Sequence, residues 1–522
     1  MVSCRFTVNE RPAAGHARLT YKTIFLFWSP LALMWLMMGV EQPAMTAFIA
    51  RMADATTNLA AFGVAFSIAL VVESPILQLL SAATALTDDR HRYRRLLRFM
   101  HLCGLGLTLL HLLLGATPLF GMLARFLLRV PEEVIEPSRL AFLTLAPFAA
   151  AVGYRRLWQG VLIKYGRTGA VPLTMVFRLI ATAAVLVIGF AFDLLPGNIL
   201  ASAAILAGVV AGAISAYIFY RSSVAKEIPE DSGMEELTWS RLLSFYVPLS
   251  MTSIIFLAAR PLLTFGIARS LMPLPSLAVW PVLQGYLFLF NSIGLSYQEA
   301  AVALLGRNEG NRPVMNRFAW YMSGALSALL LLSAVTPLGT IWFTRVSGLP
   351  PDLLALTELP LLVLALVPLL VGRKSWYRGE LVYLGKTRLL AWAVTIHTVV
   401  LLLLVWIIPM LMPMSGTLTA AISFALALAV ENTILRLQID MAKATGARFV
   451  EPKARLAESP HNLSRISPEG LALHFLVLSV IVAAEHGVIG ATLREPNRNI
   501  GIVVYRYPPS LELDLSEMSV EG

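Results

Sequence analysis

Long apolar runs dominate the chain, and short basic segments separate them. Runs of this length can cross the ~30 Å hydrocarbon core of a membrane as helices. Because backbone groups in lipid must bond within their own segment, the pattern predicts a helical bundle rather than an open sheet. The twelve predicted spans are 22–50, 57–86, 97–124, 137–158, 171–194, 199–221, 242–268, 276–305, 316–343, 354–372, 388–411 and 416–438.

Basic residues are concentrated in every second loop between these spans. Basic residues favour the cytoplasmic side of a membrane, so we expect both termini in the cytoplasm. The alternate loops are poor in charge, and the loop around 412–417 has none. Residues assigned to the basic loops include Arg90, Arg92, Arg95, Arg155, Arg156, Lys164, Arg167, Arg373, Lys374 and Arg378.

Two halves of the chain resemble each other at a constant offset. The stretch 42–51 is echoed by 260–269, where Pro43 corresponds to Pro261 (261 − 43 = 218). Further along, Gly160 corresponds to Gly379 (379 − 160 = 219), and each lies next to a basic turn. With six spans per half, the two copies share one orientation, which predicts a parallel repeat about an axis along the membrane normal. We interpret these glycines as the ends of helices rather than as parts of a phosphate-binding loop.

The repeat and the spans together predict the domain organisation. The tail's apolar run 471–484 is short for a span, and 489–493 and 500–507 look like strands, so we expect a small α+β appendage there. The predicted parts are a cytoplasmic segment 1–21, an N-lobe 22–222, an acidic cytoplasmic linker 223–241, a C-lobe 242–445 and a cytoplasmic tail 446–522.

Composition excludes several classes of function. At 57% hydrophobic and 14% charged residues, the chain does not resemble a soluble protein. The net charge of +10 arises from loop arginines, so we expect no nucleic-acid partner. Cys4 and Cys103 form no metal-binding spacing, and no catalytic motif is present, so we expect no metal, no cofactor and no enzyme activity. Arginine-rich, lysine-poor usage indicates a GC-rich bacterial genome. We therefore expect the protein in a bacterial inner membrane.

Charged residues inside the predicted spans are the candidate functional groups. Each costs about 2.5–3.5 kcal/mol at the bilayer centre, so it should face a polar interior with a partner. Equivalent helices place Glu41 and Arg260 one residue apart in the repeat, which predicts a cavity with an acid on one wall and a base on the other. Pairing between the lobes is the alternative explanation. The candidates are Arg260, Glu41, Gln42, Glu73, Arg178, Glu299 and Glu431 (with Asn432), with Pro43 and Pro261 as helix hinges.

Several of these segments resemble one family. Arg260-Pro261-Leu262-Leu263, followed by Ile267-Ala268-Arg269, is similar to the seventh helix of the progressive ankylosis (ANK) proteins, and Glu41-Gln42 resembles a pair in their first. The stretches 59–67 and 160–164 resemble their second helix and their fourth-to-fifth connection. Two six-helix lobes with a parallel repeat also resemble the multidrug/oligosaccharidyl-lipid/polysaccharide (MOP) exporter superfamily, which includes the MATE transporters.

The resemblance implies an alternating-access exporter of small anions such as pyrophosphate, citrate or nucleotides. Arg260 would contact the anion, a coupling ion is possible, and we expect a monomer in the plasma membrane. Sodium-coupled drug extruders carry an acid on the seventh helix, where this chain has Arg260. The alternatives are a proton-coupled extruder of cationic drugs that uses Glu41, a flippase of lipid-linked precursors, and a membrane sensor or scaffold with a degenerate transport core.

Overall fold

A computed structural model describes residues 19–167, 169–233, 236–305, 309–384 and 386–444. Helices account for nearly all of this part of the chain. Its first half contains α1 (Tyr21–Ile49), α2 (Ala55–Glu73), α3 (Leu79–Leu86), α4 (Arg90–Ala116), α5 (Leu119–Met122), α6 (Glu132–Thr144), α7 (Phe148–Lys164), α8 (Ala170–Ala191) and α9 (Gly197–Ser223).

The second half follows the same order of elements. It contains α10 (Trp239–Ala268), α11 (Pro273–Leu295), α12 (Tyr297–Leu305), α13 (Arg312–Val335), α14 (Pro337–Ile341), α15 (Ala355–Leu364), α16 (Val367–Tyr383), α17 (Thr387–Leu411) and α18 (Gly416–Ala444). Among the described residues the only strand-like pairing is an isolated bridge between Leu271 and Ser415. The predicted tail helix and strands lie outside the described residues.

Eleven helical segments within the described ranges are long and apolar enough to cross a membrane. Their outward faces carry large apolar side chains. On α4, for example, Leu102, Leu105, Leu109 and Leu113 are 62%, 60%, 56% and 54% exposed and recur every three or four residues, so they form one stripe. Such a stripe is unfavourable in water and is suited to lipid. The chain is an integral membrane protein.

Backbone conformation repeats between the halves at the offsets seen in the sequence. Left-handed residues occur at Asp54 (φ 51°) and Met272 (φ 53°), which are 272 − 54 = 218 apart. The two π turns, Leu123–Leu127 and Trp342–Val346, are 342 − 123 = 219 apart. Thr20 and Thr238, again 218 apart, cap α1 and α10 by accepting a hydrogen bond from the backbone N–H three residues later. The repeat is therefore present in local structure as well as in sequence.

Helices of the two halves pack closely where the repeat places small residues. The first half contacts the second through α1 against α11, α2 against α11, and α10 against α2. Gly63 and Pro281 are equivalent (281 − 63 = 218) and touch, since a Cβ on Gly63 would lie 2.5 Å from Pro281 Cγ. Only glycine permits this approach of α2 to α11.

The repeated glycines at 160 and 379 also serve close packing. A Cβ on Gly160 would lie 2.6 Å from Ala83 Cβ, and one on Gly379 would lie 2.7 Å from the equivalent Ala301 Cβ. Both glycines stand inside helices α7 and α16, so the expectation that they end helices is wrong for these two. Gly166, with φ at 73°, follows Tyr165, the C-cap residue of α7.

Arg51 joins the two halves at one end of the bundle. Its guanidinium donates hydrogen bonds to the carbonyls of Arg345 (2.6 Å) and Val346 (2.9 Å), at the end of the second π turn. Gly348 leaves room for it, because a Cβ there would lie 2.7 Å from Arg51 Nη1. The equivalent position in the first half is Arg129 (348 − 129 = 219), so the glycine here is specific to the second half.

The acidic segment that connects the halves is held against the start of α4. Arg90 and Arg95 form ion pairs with Glu230 and Glu236. The Ser232 hydroxyl donates to Asp89 Oδ2 at 2.6 Å. Burial acts to raise the pKa of Asp89, but this hydrogen bond, hydrogen bonds from backbone N–H groups and the charge of Arg92 together hold the pKa below its ordinary value.

Several charged residues assigned to basic loops lie inside helices instead. Arg155 and Arg156 belong to α7, and Arg373, Lys374 and Arg378 belong to α16. Arg155, Arg373 and Lys374 are only 4–5% exposed. Hydropathy ends a span at a charge cluster, whereas a bundle can bury charges that meet partners on neighbouring helices.

Candidate functional site

A cavity opens between the first two helices of each half. It has an empty volume of about 420 Å³, its open mouth included. The polar groups in its wall come from four helices and comprise Gln42 (α1), Ser67 (α2), Arg260 and Thr264 (α10) and Gln284 (α11). The remaining wall is apolar and includes Phe62, Phe66 and Trp280. Among the described residues, the lining holds one cationic side chain and no acidic one.

Arg260 is the charged group of this cavity. Its Nη1 donates a hydrogen bond to Gln284 Oε1 at 3.0 Å, which fixes the guanidinium against α11. A neutral amide oxygen orients the charge without neutralising it. The remaining guanidinium donors therefore suit an anion, which such a fork binds through charge-assisted hydrogen bonds.

Amide and hydroxyl groups complete the polar part of the wall. Gln42 Nε2 donates to the Pro281 carbonyl at 3.4 Å. The Thr264 hydroxyl lies 3.5 Å from Ser67 Oγ, where α10 meets α2. Each of these contacts joins the first half of the chain to the second, so a relative movement of the halves would reshape the cavity.

Glu41 does not share the cavity with Arg260. Successive helical residues point about 100° apart, so Gln42 faces the cavity while Glu41 faces α8. There Glu41 forms a bidentate ion pair with Arg178, whose Nε donates at 2.7 Å, and it accepts a hydrogen bond from Thr182 at 3.2 Å. The sequence predicted no partner for Arg178, and the expected acidic wall of the cavity is instead the Gln42 amide.

Glu73 lies beside two arginines of α7. Its carboxylate is 5% exposed, and Oε2 has no hydrogen-bond partner. Arg156 and Arg155 of α7 are close enough to interact with it electrostatically. The structure thus gathers Glu73, Glu41 and Arg178 in the first half, away from Arg260.

Glu431 and Glu299 also lie outside the cavity. Glu431 is 2% exposed and pairs with Lys374 Nζ at 3.2 Å. The neighbouring Asn432 side chain donates to the Leu428 carbonyl within α18. Glu299 is exposed, and its Oε1 accepts a hydrogen bond from the Trp35 indole at 3.3 Å.

Pro43 and Pro261 each lie within a continuous helix next to the cavity. Pro43 packs against Gly285, where a Cβ would lie 3.2 Å from the proline nitrogen. One turn later, Thr46 and the equivalent Thr264 both donate to the carbonyl four residues earlier. Such back-bonding often bends helices.

Sequence reasoning missed residues both in the cavity wall and among the buried charged groups. Gln284, Ser67 and Thr264 carry no charge, so nothing in the hydropathy pattern distinguishes them. Lys374 and His397 were detectable, because the repeat places them at Arg155 and Arg178 (374 − 155 = 219; 397 − 178 = 219). Among the described residues, no group of three or more His, Cys, Asp or Glu side chains forms a metal-binding cluster.

The chain matches one protein family in sequence and several solved transporters in fold. A family model described as progressive ankylosis protein (ANKH) matches residues 13–278, just over half of the chain. The fold is similar to an inward-facing multidrug resistance MATE family transporter of the MOP superfamily, with 18% identity, a TM-score of 0.57, and coverage of 80% of this chain and 100% of that one.

Two further solved structures share this fold. The MATE multidrug transporter DinF-BH has 15% identity and a TM-score of 0.59, and the match covers 81% of this chain and 96% of that one. The lipid II flippase MurJ, in an inward closed conformation, has 13% identity and a TM-score of 0.52, and the match covers 89% of this chain and 99% of that one. At these identities the likeness establishes the fold alone.

Proposed function

The chain belongs to the progressive ankylosis protein family, and from that premise we propose that it is an alternating-access transporter that exports small anions. The observation that carries the proposal is the cavity between the halves, in which Arg260 is held by a neutral glutamine and faces no acid among the described lining residues. Pyrophosphate, citrate and nucleotides are the anions to test first, because their clustered oxygens match the guanidinium fork.

The proposed architecture follows from the repeat. Helix α10 would be a further span beside the eleven and would bring the total to twelve. Six spans in 22–222 and six in 242–445 would then form two lobes with the cavity between them. The linker 223–241, the segment 1–21 and the tail 446–522 would then be cytoplasmic, in a protein that works as a monomer in a bacterial plasma membrane. Alternating access would arise as the two lobes rock about the contacts between α1, α2, α10 and α11.

The roles of the other candidates follow from their positions. Gln42 would contact the substrate opposite Arg260, and Pro43 and Pro261 would act as hinges. The buried groups Glu41, Arg178, Glu73 and Glu431 would bind a coupling ion or hold each lobe together. Glu299, which is exposed, would act at the edge of the bundle.

Transport in proteoliposomes tests the proposal. We expect the full-length chain to move labelled pyrophosphate or citrate, and Arg260→Ala to lower the rate about tenfold to hundredfold, since hydrogen bonds to charged groups contribute about 1.5–3 kcal/mol. Arg269→Ala, directly after the end of the same helix and outside the cavity lining, should transport at the normal rate. Equal transport by wild type and Arg260→Ala would remove the residue from the site.

The same vesicles distinguish the alternatives. Transport of a cationic dye, unaffected by Arg260→Ala and abolished by Glu41→Gln, would indicate a drug extruder. Movement of a lipid-linked precursor, without transport of free anions, would indicate a flippase. A chain that moves none of these, but whose deletion of residues 450–522 abolishes its cellular effect, would be a sensor.

A further inference from the structure

Three buried side chains meet in the second half of the chain, away from the cavity. Lys374 on α16, His397 on α17 and Glu431 on α18 are each at most 5% exposed. Lys374 Nζ lies 3.2 Å and His397 Nδ1 lies 3.3 Å from the same carboxylate oxygen, Glu431 Oε2. We propose that this cluster, hereafter the Lys–His–Glu cluster, is a proton-binding site that couples proton movement to transport.

The repeat shows what the cluster replaces. At an offset of 219, Lys374, His397 and Glu431 correspond to Arg155, Arg178 and Gly212. The first-half residues meet in the same way, since a Cβ on Gly212 would lie 3.0 Å from Arg155 Cδ and 3.6 Å from Arg178 Cβ. The same three-helix junction therefore occurs in both halves with different side chains.

The substitution changes what the junction can do. Arginine keeps its proton at any physiological pH, so the first-half junction carries fixed charge. Histidine gains and loses a proton near neutral pH, and a buried lysine also titrates more readily than arginine. Of the two junctions, the one in the second half can therefore bind and release a proton while remaining folded.

Hydrogen bonding in the cluster leaves a position for that proton. His397 Nδ1 and Glu431 Oε1 are buried without a hydrogen-bond partner, and so is Arg378 Nε nearby. If His397 Nδ1 gained a proton, it would donate a charge-assisted hydrogen bond to Glu431 Oε2, which lies 3.3 Å away. The first-half ion pair offers no such position, because Glu41 already accepts bonds from Arg178 and Thr182.

The charged groups around the His397 imidazole determine how readily it takes up a proton. Lys374 and Arg378 of α16 contribute positive charge, and Glu431 of α18 is the carboxylate that faces it. From α10 the cluster is faced by the ring of Phe256, whose centroid is 5.6 Å from Lys374 Nζ. Burial and the charge of Lys374 oppose a second positive charge beside Glu431, and water that reaches the cluster reduces this cost, so protonation favours a conformation in which the cluster opens.

One contact joins the helix that carries His397 to the helix that carries Arg260. Next to His397, the Thr398 hydroxyl lies between two carbonyl acceptors, that of Val394 on its own helix at 3.0 Å and that of Ile255 on α10 at 3.4 Å. Ile255 and Phe256 lie about one turn before Arg260 on that helix. A change at the cluster would thus move the helix that carries Arg260, and by linkage anion binding would change proton affinity equally.

Infrared difference spectroscopy tests proton binding without any substrate. The reconstituted full-length chain should show imidazole and carboxylate bands between pH 8 and pH 5 that His397→Gln loses. His111→Gln is the matched control, because His111 is also buried but lies in α4 against the Phe142 carbonyl, at 2.6 Å. Should His397→Gln fold poorly, His397→Arg copies the first-half residue and should lose the same bands. Spectra of either variant identical to wild type would overturn the proposal.

Transport then tests coupling, which rests on the proposed function. In proteoliposomes, His397→Gln should keep labelled pyrophosphate exchange within about twofold while its accumulation under a pH gradient falls at least tenfold. Gradient-driven accumulation unchanged in the variant would overturn coupling. Normal pH-difference bands in a wild type that moves no pyrophosphate would instead reject that substrate and leave the proton site standing.

Discussion

Breaking the ion pair between Glu41 and Arg178 should destabilise the chain, and removing both charges should restore it. Glu41 is 6% exposed and has three hydrogen-bond donors around it, two from Arg178 and one from Thr182. Arg178→Met leaves the carboxylate buried with only the threonine. The loss of one partner from a buried pair costs about 3–5 kcal/mol, whereas an apolar pair of similar volume is about as stable as the original.

Thermal unfolding of the purified chain measures this difference. An unfolding entropy of about 2 cal/mol/K per residue over roughly 400 ordered residues gives about 0.8 kcal/mol per degree. Arg178→Met should therefore lower the melting temperature by about 4–6 °C, and Glu41→Met/Arg178→Met should recover most of that loss. Arg125→Met removes an exposed pair with Glu132 and should not shift the melting temperature measurably.

Two results would refute this reasoning. A single variant that melts within about 1 °C of wild type would mean that water reaches the carboxylate and replaces the arginine. A double variant that melts as low as the single one would mean that Arg178 stabilises the bundle through its packing rather than its charge.

Three further predictions concern contacts between elements. Arg51→Ala should speed amide exchange in the second π turn about fivefold to thirtyfold, because about 1–2 kcal/mol of hydrogen bonding is lost, and unchanged exchange would contradict the contact. Gly63→Ala should lower stability by about 1–3 kcal/mol, because the added Cβ overpacks against the rigid ring of Pro281. Gly106→Ala is the control, because a Cβ there meets nothing within 4 Å and should cost no stability through overpacking. Equal melting temperatures for the two variants would contradict the close approach. Asp89→Asn should lower the melting temperature at neutral pH, and the difference should shrink as the pH falls below the ordinary pKa of 3.8, because a lowered pKa stabilises only the ionised, folded form; a difference that persists at lower pH would refute this.

Most of the architecture is readable from the sequence, because the information is local. Apolar runs predict where the helices lie, and some bounds agree closely, as for 22–50 and α1 at Tyr21–Ile49, whereas the span predicted at 354–372 continues to Tyr383. The duplication is also local, since equal offsets relate residues such as Gly160 and Gly379 without any knowledge of packing. The family likewise follows from sequence, and the model match confirms it.

Which charges are buried, and against which partner, only the tertiary structure decides. The sequence places Glu41 one residue from the register of Arg260, but one residue on a helix is about 100°, so Glu41 meets Arg178 and Gln42 meets the cavity. Arg155 and Lys374 resemble loop residues in a hydropathy profile, yet both are buried. Hydropathy sums the cost of each charge separately, whereas the free energy of burial depends on the partner that another helix brings within about 3 Å.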